Sequence, residues 1–122
     1  MKKRIVQNNG FSIAIINIDE IIITDKQSAL DLIATVSHID SCQSLIINKE
    51  AIIDDFFDLS SGIAGEVLQK FVNYSIRMAI IGDFSEYTSK ALKDFIYECN
   101  QGNHIFFITD EQTAIAHLNG FD

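Results

Sequence analysis

Apolar and polar positions follow two alternating patterns along the chain. Short apolar runs predict buried β-strands, and longer stretches with apolar residues at helical spacing predict helices that bury one face. The resulting order is β-β-α-β-α-β-α-β-α, with Ile21-Ile22-Ile23 as an additional short extended segment. The runs that predict the strands are residues 3–7, 11–18, 44–47, 76–81 and 105–108.

The connections between these segments predict how the strands pair. The first two strands are separated by Asn8-Asn9-Gly10, and Asn-Gly favours a tight antiparallel hairpin. The later strands alternate with helices, which favours parallel pairing through right-handed crossovers. We therefore predict one α/β domain over residues 1–122, with a mixed sheet, an N-terminal antiparallel hairpin and flanking helices.

Polar residues predict where the helices begin and end. Residues 24–27 and 109–112 resemble capping boxes for the first and last helices. The second helix follows a turn at residues 58–62, and the third is predicted within residues 85–102, where Gly102 is suited to end it. The apolar positions expected to face the core on the second and third helices are Ile63, Ala64, Val67, Leu68, Phe71, Tyr74, Ala91, Leu92, Phe95, Ile96 and Cys99.

Composition and charge narrow the classes of partner. The chain of 122 residues is 48% hydrophobic, and its 17 acidic and 9 basic residues give a net charge of −8. This charge repels phosphate backbones and anionic lipids, so we expect no nucleic-acid or membrane partner. The basic start runs into Gln7-Asn8-Asn9-Gly10 instead of the apolar run of a signal peptide. We expect a cytoplasmic protein in which Cys42 and Cys99 are reduced thiols.

The sequence contains no recognisable catalytic or metal-binding set. His38, His104 and His117 lie outside any spacing that would place two ligands on one helix face. Asp54, Asp55 and Asp58 form an acidic segment without the spacing of a calcium loop, which we interpret as solvated. We therefore expect no catalytic residue, no metal and no cofactor.

The turn Asp58-Leu59-Ser60-Ser61-Gly62 contains the strongest functional candidates. The first turn of a helix has unpaired N–H groups and the positive end of the helix dipole, so a serine there can cap the helix or carry a phosphate. Ser60 and Ser61 are therefore candidate phosphoacceptors, with capping as the alternative interpretation.

The element order and this turn resemble the STAS domains, the fold of bacterial anti-sigma factor antagonists. In that family an Asp-Ser/Thr-Ser-Gly turn precedes an apolar helix, and a partner kinase phosphorylates the serine beside the glycine. The resemblance implies that Asp58 is the turn aspartate, Ser61 the phosphoacceptor and Gly62 the glycine. Leu59 is one residue more than the pattern contains, so Ser60 competes with Ser61 for the role.

Residues 31–36 and 88–100 resemble more closely an uncharacterised bacterial family, domain-of-unknown-function family 4180. That resemblance implies one intact small domain and supplies no activity. Function must be argued from the site, because fold alone does not determine it.

Two hypotheses follow. The first is a non-enzymatic regulatory module that binds an unidentified protein partner, with a kinase as a candidate partner and self-association left open. Its predicted partner surface comprises Asp58, Gly62, Ile63, Gly65, Asp83, Ser85 and Tyr87. The second is a small enzyme or ligand-binding domain that uses a crevice at the strand ends. The predicted crevice residues are Asn48, Asp83, Ser85 and Thr109.

Overall fold

The strands of the sheet lie side by side in their order along the chain. β1 (Lys3–Asn8) runs antiparallel to β2 (Phe11–Ile16), and the following strands pair in parallel: β3 (Ser44–Asn48), β4 (Arg77–Ile81) and β5 (Ile105–Ile108). The computed structural model describes residues 3–8 and 10–119. Within these residues the predicted α/β fold with a mixed sheet and an N-terminal hairpin is confirmed.

The hairpin and the extended segment after it also follow the sequence pattern. Asn8 lies opposite Phe11, and Gly10 has a φ of 84°, which glycine adopts at little cost. Asn9, the other residue of the predicted turn, lies outside the described residues. Ile23 forms a parallel bridge with Ile52 beyond the end of the main sheet.

Sequential parallel strands determine which face each helix covers. Right-handed crossovers that always step in the same direction place their helices on the same face of the sheet.

None of the helices in the described part of the chain is long and apolar enough to cross a membrane. The helices are α1 (Lys26–Ala34), α2 (Ile63–Asn73), α3 (Lys90–Gln101) and α4 (Glu111–Asn119), and a π-helical turn at Thr35–Ile39 extends α1.

Two hydrophobic cores share the sheet. The larger core packs α1, α2 and α3 against alternate strand residues such as Leu45 and Ile47. The smaller core packs Ala114 and Leu118 of α4 against the opposite face, including Ile46. All five residues of β3 are buried, as expected of a parallel strand covered on both sides.

The third helix lies within the predicted residues 85–102: α3 begins at Lys90, because the Ser89 hydroxyl accepts a hydrogen bond from the Leu92 N–H and caps the helix. Two local predictions on the buried helix faces are corrected by the structure. Ala91 is exposed, because it lies on the outer face of α3 beside the buried Leu92. Tyr74 is 60% exposed, because it is the residue at which α2 ends.

Aspartates, not threonines, cap α1 and α4. Asp25 Oδ1 accepts a hydrogen bond from the Ser28 N–H at 2.9 Å, and Asp110 Oδ1 accepts one from the Thr113 N–H at 2.8 Å. Both predicted capping boxes therefore begin one residue too early. These backbone hydrogen bonds are the main reason why the pKa of each aspartate lies below its ordinary value. A carboxylate is also favoured there by the positive end of the helix dipole.

We expect these two caps to make the stability of the protein sensitive to acid. Because the pKa is lower in the folded than in the unfolded state, the contribution is complete above the ordinary value of 3.8 and is lost as the pH falls through the folded value. Melting temperatures measured from about pH 7 to about pH 3 should fall less steeply for Asp25→Asn/Asp110→Asn than for the wild type. Parallel curves would contradict this assignment.

α2 ends in a Schellman motif that places a serine in an unfavourable backbone conformation. Ser75 has a φ of 58°, and its N–H donates to the Val72 carbonyl at 3.1 Å. The next N–H, of Ile76, donates to the Phe71 carbonyl at 3.0 Å. Glycine is the usual residue at this position, because the left-handed region strains residues that have a Cβ.

Ser75→Gly should therefore stabilise the protein by about 0.5 to 1 kcal/mol, since relief of strain exceeds the entropy cost of a glycine. Chemical denaturation followed by circular dichroism measures the free energy of unfolding. Asn73→Gly is the matched control: it introduces the same residue within α2 and should destabilise the protein. A loss of stability in Ser75→Gly would refute the strain argument.

Candidate functional site

The two predicted parts of the partner surface meet at the carboxyl end of the parallel strands. Phe57, which immediately precedes the serine turn, stacks on Tyr87 with ring centroids 5.2 Å apart. Phe84 lies 6.2 Å from Phe57 and contacts Phe107 of β5 edge-on at 5.4 Å. An aromatic cluster therefore joins the serine turn to the loop after β4.

Short 3₁₀ turns carry the chain from β3 to the serine turn. They span Lys49–Ala51, Asp54–Phe57 and Leu59–Ser61. Leu59 is partly buried and packs on the larger core, so the residue that exceeds the STAS pattern anchors the turn. Gly62 then adopts a φ of 80° and begins α2.

Ser60 forms a closed local hydrogen-bond unit with Asp58. Its hydroxyl donates to Asp58 Oδ1 at 2.6 Å, and its N–H donates to the same oxygen at 3.1 Å. Ser85 forms the same unit with Asp83, with distances of 2.6 Å and 2.9 Å. The Ser85 hydroxyl is the main reason that the pKa of Asp83 is lowered. Both pairs thus stabilise a local turn.

Ser61 has a different environment. Its hydroxyl donates to the Asp55 carbonyl at 2.7 Å and accepts a hydrogen bond from the Ile63 N–H at 3.2 Å. Ser61 is exposed, and only Gly62 separates it from α2. Its hydroxyl oxygen therefore lies at the N-terminal end of that helix. Gly62 is the N-cap residue of α2, and the Ser61 hydroxyl, one residue earlier, accepts from the first N–H of the helix and remains accessible.

The predicted crevice residues have different environments in the structure. Asn48 is 6% exposed; its amide accepts from the Ile18 N–H at 3.0 Å and donates to the Ile18 carbonyl at 2.6 Å. This pairing fixes the chain beyond β2. Asp83 and Ser85 bond to each other, whereas the Thr109 side chain is exposed at the end of β5. Two cavities along α1 and α2 are lined by other residues.

Lys49 is the central residue of this edge, and sequence reasoning missed it. Its ammonium group donates to the Asp83 carbonyl at 2.9 Å and pairs with Glu86. It also lies 5.0 Å from the centroid of the Tyr87 ring. Burial opposes the charge, but the hydrogen bond to Glu86 and neighbouring negative charges outweigh it and raise the pKa of Lys49. The signal in the sequence that could have identified this residue is a lysine directly after a buried strand.

Gly82 provides the space through which the Lys49 side chain reaches its partners. A Cβ on Gly82 would lie 2.8 Å from both Cγ and Cδ of Lys49, closer than packed atoms approach. Gly82 follows β4, so its small size lets a side chain from the end of β3 cross over the neighbouring strand.

Gly82→Ala should therefore destabilise the protein by about 1 to 2 kcal/mol, because the added methyl group displaces Lys49 from Glu86 and Tyr87. In a Lys49→Ala background the same change should cost much less. A double-mutant cycle on the free energy of unfolding measures this coupling. Equal costs in both backgrounds would show that the two residues do not interact.

Burial disfavours the reactive thiolate form of both cysteines. Burial raises the pKa of the Cys99 thiol to about 11 and also raises that of Cys42, so both are protonated at neutral pH. Within residues 3–8 and 10–119, no group of three or more histidine, cysteine, aspartate or glutamate side chains is arranged to hold a metal ion.

Comparison with known proteins gives one family. The model of the family described as "Domain of unknown function (DUF4180)" matches residues 8–118. No curated protein and no solved structure matches the chain significantly. The match confirms the resemblance to the domain-of-unknown-function family, whereas the likeness to STAS domains rests on the element order and one turn.

Proposed function

The chain belongs to the domain-of-unknown-function family DUF4180, and from the site described above we propose that it is a non-enzymatic regulatory module that binds a protein partner. The partner surface is the serine turn, the start of α2 and the loop after β4. Ser61 is the switch: a kinase phosphorylates it and thereby releases the partner. The module acts in the bacterial cytoplasm.

The position of the Ser61 hydroxyl carries this proposal. A phosphate on Ser61 would lie at the start of α2, where unpaired backbone N–H groups and the helix dipole favour an anion. The modification removes only the hydrogen bond to the Asp55 carbonyl. A phosphate on Ser60 would instead meet the Asp58 carboxylate, now 2.6 Å from the hydroxyl. Like-charge repulsion therefore selects Ser61 over Ser60.

The satisfied polar groups of the strand-end crevice support binding over catalysis. The Asn48 amide bonds to the Ile18 backbone and the Asp83 carboxylate to the Ser85 hydroxyl, while the neighbouring Lys49 ammonium bonds to the Asp83 carbonyl. A catalytic or ligand-binding crevice needs polar groups that converge on an open volume. The crevice hypothesis therefore ranks second.

Affinity capture from the native host, followed by mass spectrometry, tests the switch. We expect phosphate on Ser61 and not on Ser60, and a partner that binds the wild type and Ser61→Ala. Ser61→Glu should bind that partner at least about tenfold more weakly, since a charge is added within the interface. Circular dichroism must show that each variant is folded.

Ser85→Glu and Ser60→Ala are the controls for this experiment. Ser85→Glu adds the same charge at a serine that has the geometry of Ser60, in the other segment of the proposed surface. Ser85→Glu should weaken binding of the partner less than Ser61→Glu does. Phosphate on Ser60 alone, or a partner that Ser61→Glu retains, would overturn the proposed switch.

A further inference from the structure

A groove lies between the start of α1 and the exposed side of α2. It has a volume of about 370 Å³ and is lined by Lys26, Gly65, Glu66, Gln69 and Lys70. Gly65 belongs to the predicted partner surface and lies one helical turn after Ser61. The groove therefore continues the surface of the proposed function along α2.

The groove contains cationic groups that the protein itself does not neutralise. Ion pairs engage Lys3, Arg4, Lys49 and Lys90 with nearby carboxylates. Among the lysines that the structure describes, Lys26, Lys70 and Lys93 have no carboxylate within ion-pair distance. Two of these three, Lys26 and Lys70, line the groove together with a single carboxylate, that of Glu66. The lining side chains therefore carry a net charge of +1 on a chain with a net charge of −8.

Gly65 is a second distinctive feature of the groove. It lies within α2 and is exposed, and apart from the neighbouring residues and the backbone of its own helix no described atom lies within 4 Å of the position of an added Cβ. Glycine within a helix lowers stability, and nothing in the fold of this chain requires it here. Its use is explained if the backbone of a partner passes close to α2 at this point.

We infer that the groove binds an acidic segment of the partner protein. Carboxylates of that segment pair with Lys26 and Lys70, and its backbone crosses α2 at Gly65. The acidic surface of the rest of the protein repels such a segment, so binding is confined to the groove and weakens with salt. This inference rests on the proposed function, for which it supplies the chemistry of the partner.

The same groove explains how Ser61 can act as a switch. A phosphate on Ser61 adds nearly two negative charges one helical turn before Gly65. It therefore lies close to the path of the acidic segment and repels it. Phosphorylation weakens binding without a change in fold.

Nuclear magnetic resonance titration at low ionic strength tests the inference, with a synthetic peptide of alternating glutamate and alanine as the probe. The amides of Gly65, Glu66 and Gln69 should shift saturably. Lys26→Glu/Lys70→Glu should weaken binding at least about tenfold, because each change replaces attraction with repulsion. Ser61→Glu should also weaken it. The peptide with lysine in place of glutamate should not bind.

Two further variants separate docking from general effects of charge or stability. Lys93→Glu changes the third lysine without an ion pair, which lies on α3, and should leave binding nearly unchanged. Gly65→Ala should raise the melting temperature, because alanine favours the helix, yet weaken binding several-fold by filling the crossing point. Shifts elsewhere, an absence of saturation, or equal losses in Lys93→Glu and Lys26→Glu/Lys70→Glu would overturn the inference.

The two experiments distinguish between failure of the acidic-segment inference and failure of the Ser61 switch. If the peptide does not bind but a Ser61-dependent partner is captured from the host, the acidic-segment inference is wrong and the regulatory function stands. If the peptide binds in the groove and no partner depends on Ser61, the switch is wrong and the groove stands.

Discussion

The parallel pairing of β3 and β4 is the constraint on which the rest of this structure depends. Parallel strands connected through helices must be covered on both faces, and every residue of β3 is buried. Crossovers in one direction place α1, α2 and α3 on one face, and among the described helices α4 covers the other. Arg77 holds α4 in place, because its guanidinium donates to the carbonyls of Leu118 and His117 at 2.6 Å and 3.3 Å.

The same strand order brings the functional segments together. Loops that follow neighbouring parallel strands emerge at the same end of the sheet. The long connection after β3 and the loop after β4 therefore lie side by side, and the aromatic cluster with Lys49 fills the space between them. The interactions of Lys49 and Phe57 hold the proposed partner surface in a single arrangement, which would lower the entropy cost of binding a partner.

Ser60 and Ser61 show how neighbouring residues of the same type acquire different environments. The Ser60 hydroxyl bonds to a carboxylate, whereas the Ser61 hydroxyl bonds to backbone groups at the start of a helix. An added phosphate is repelled in the first position and stabilised in the second. Ser61 lies just before α2 and Gly65 lies in its first turn, so in the proposed function modification and docking would be coupled through electrostatics over a short distance.

The sequence by itself determined the element order, the mixed sheet and the serine turn, because apolar periodicity and turn residues depend on neighbours along the chain. It placed the caps at Thr24 and Thr109 one residue early, because threonine and aspartate both suit a cap and only the backbone geometry chooses between them. Only the tertiary structure decided that Lys49 reaches Glu86, 37 residues away, and that α1 and α2 enclose a basic groove. Such contacts depend on the register and packing of separate elements, which no local pattern encodes.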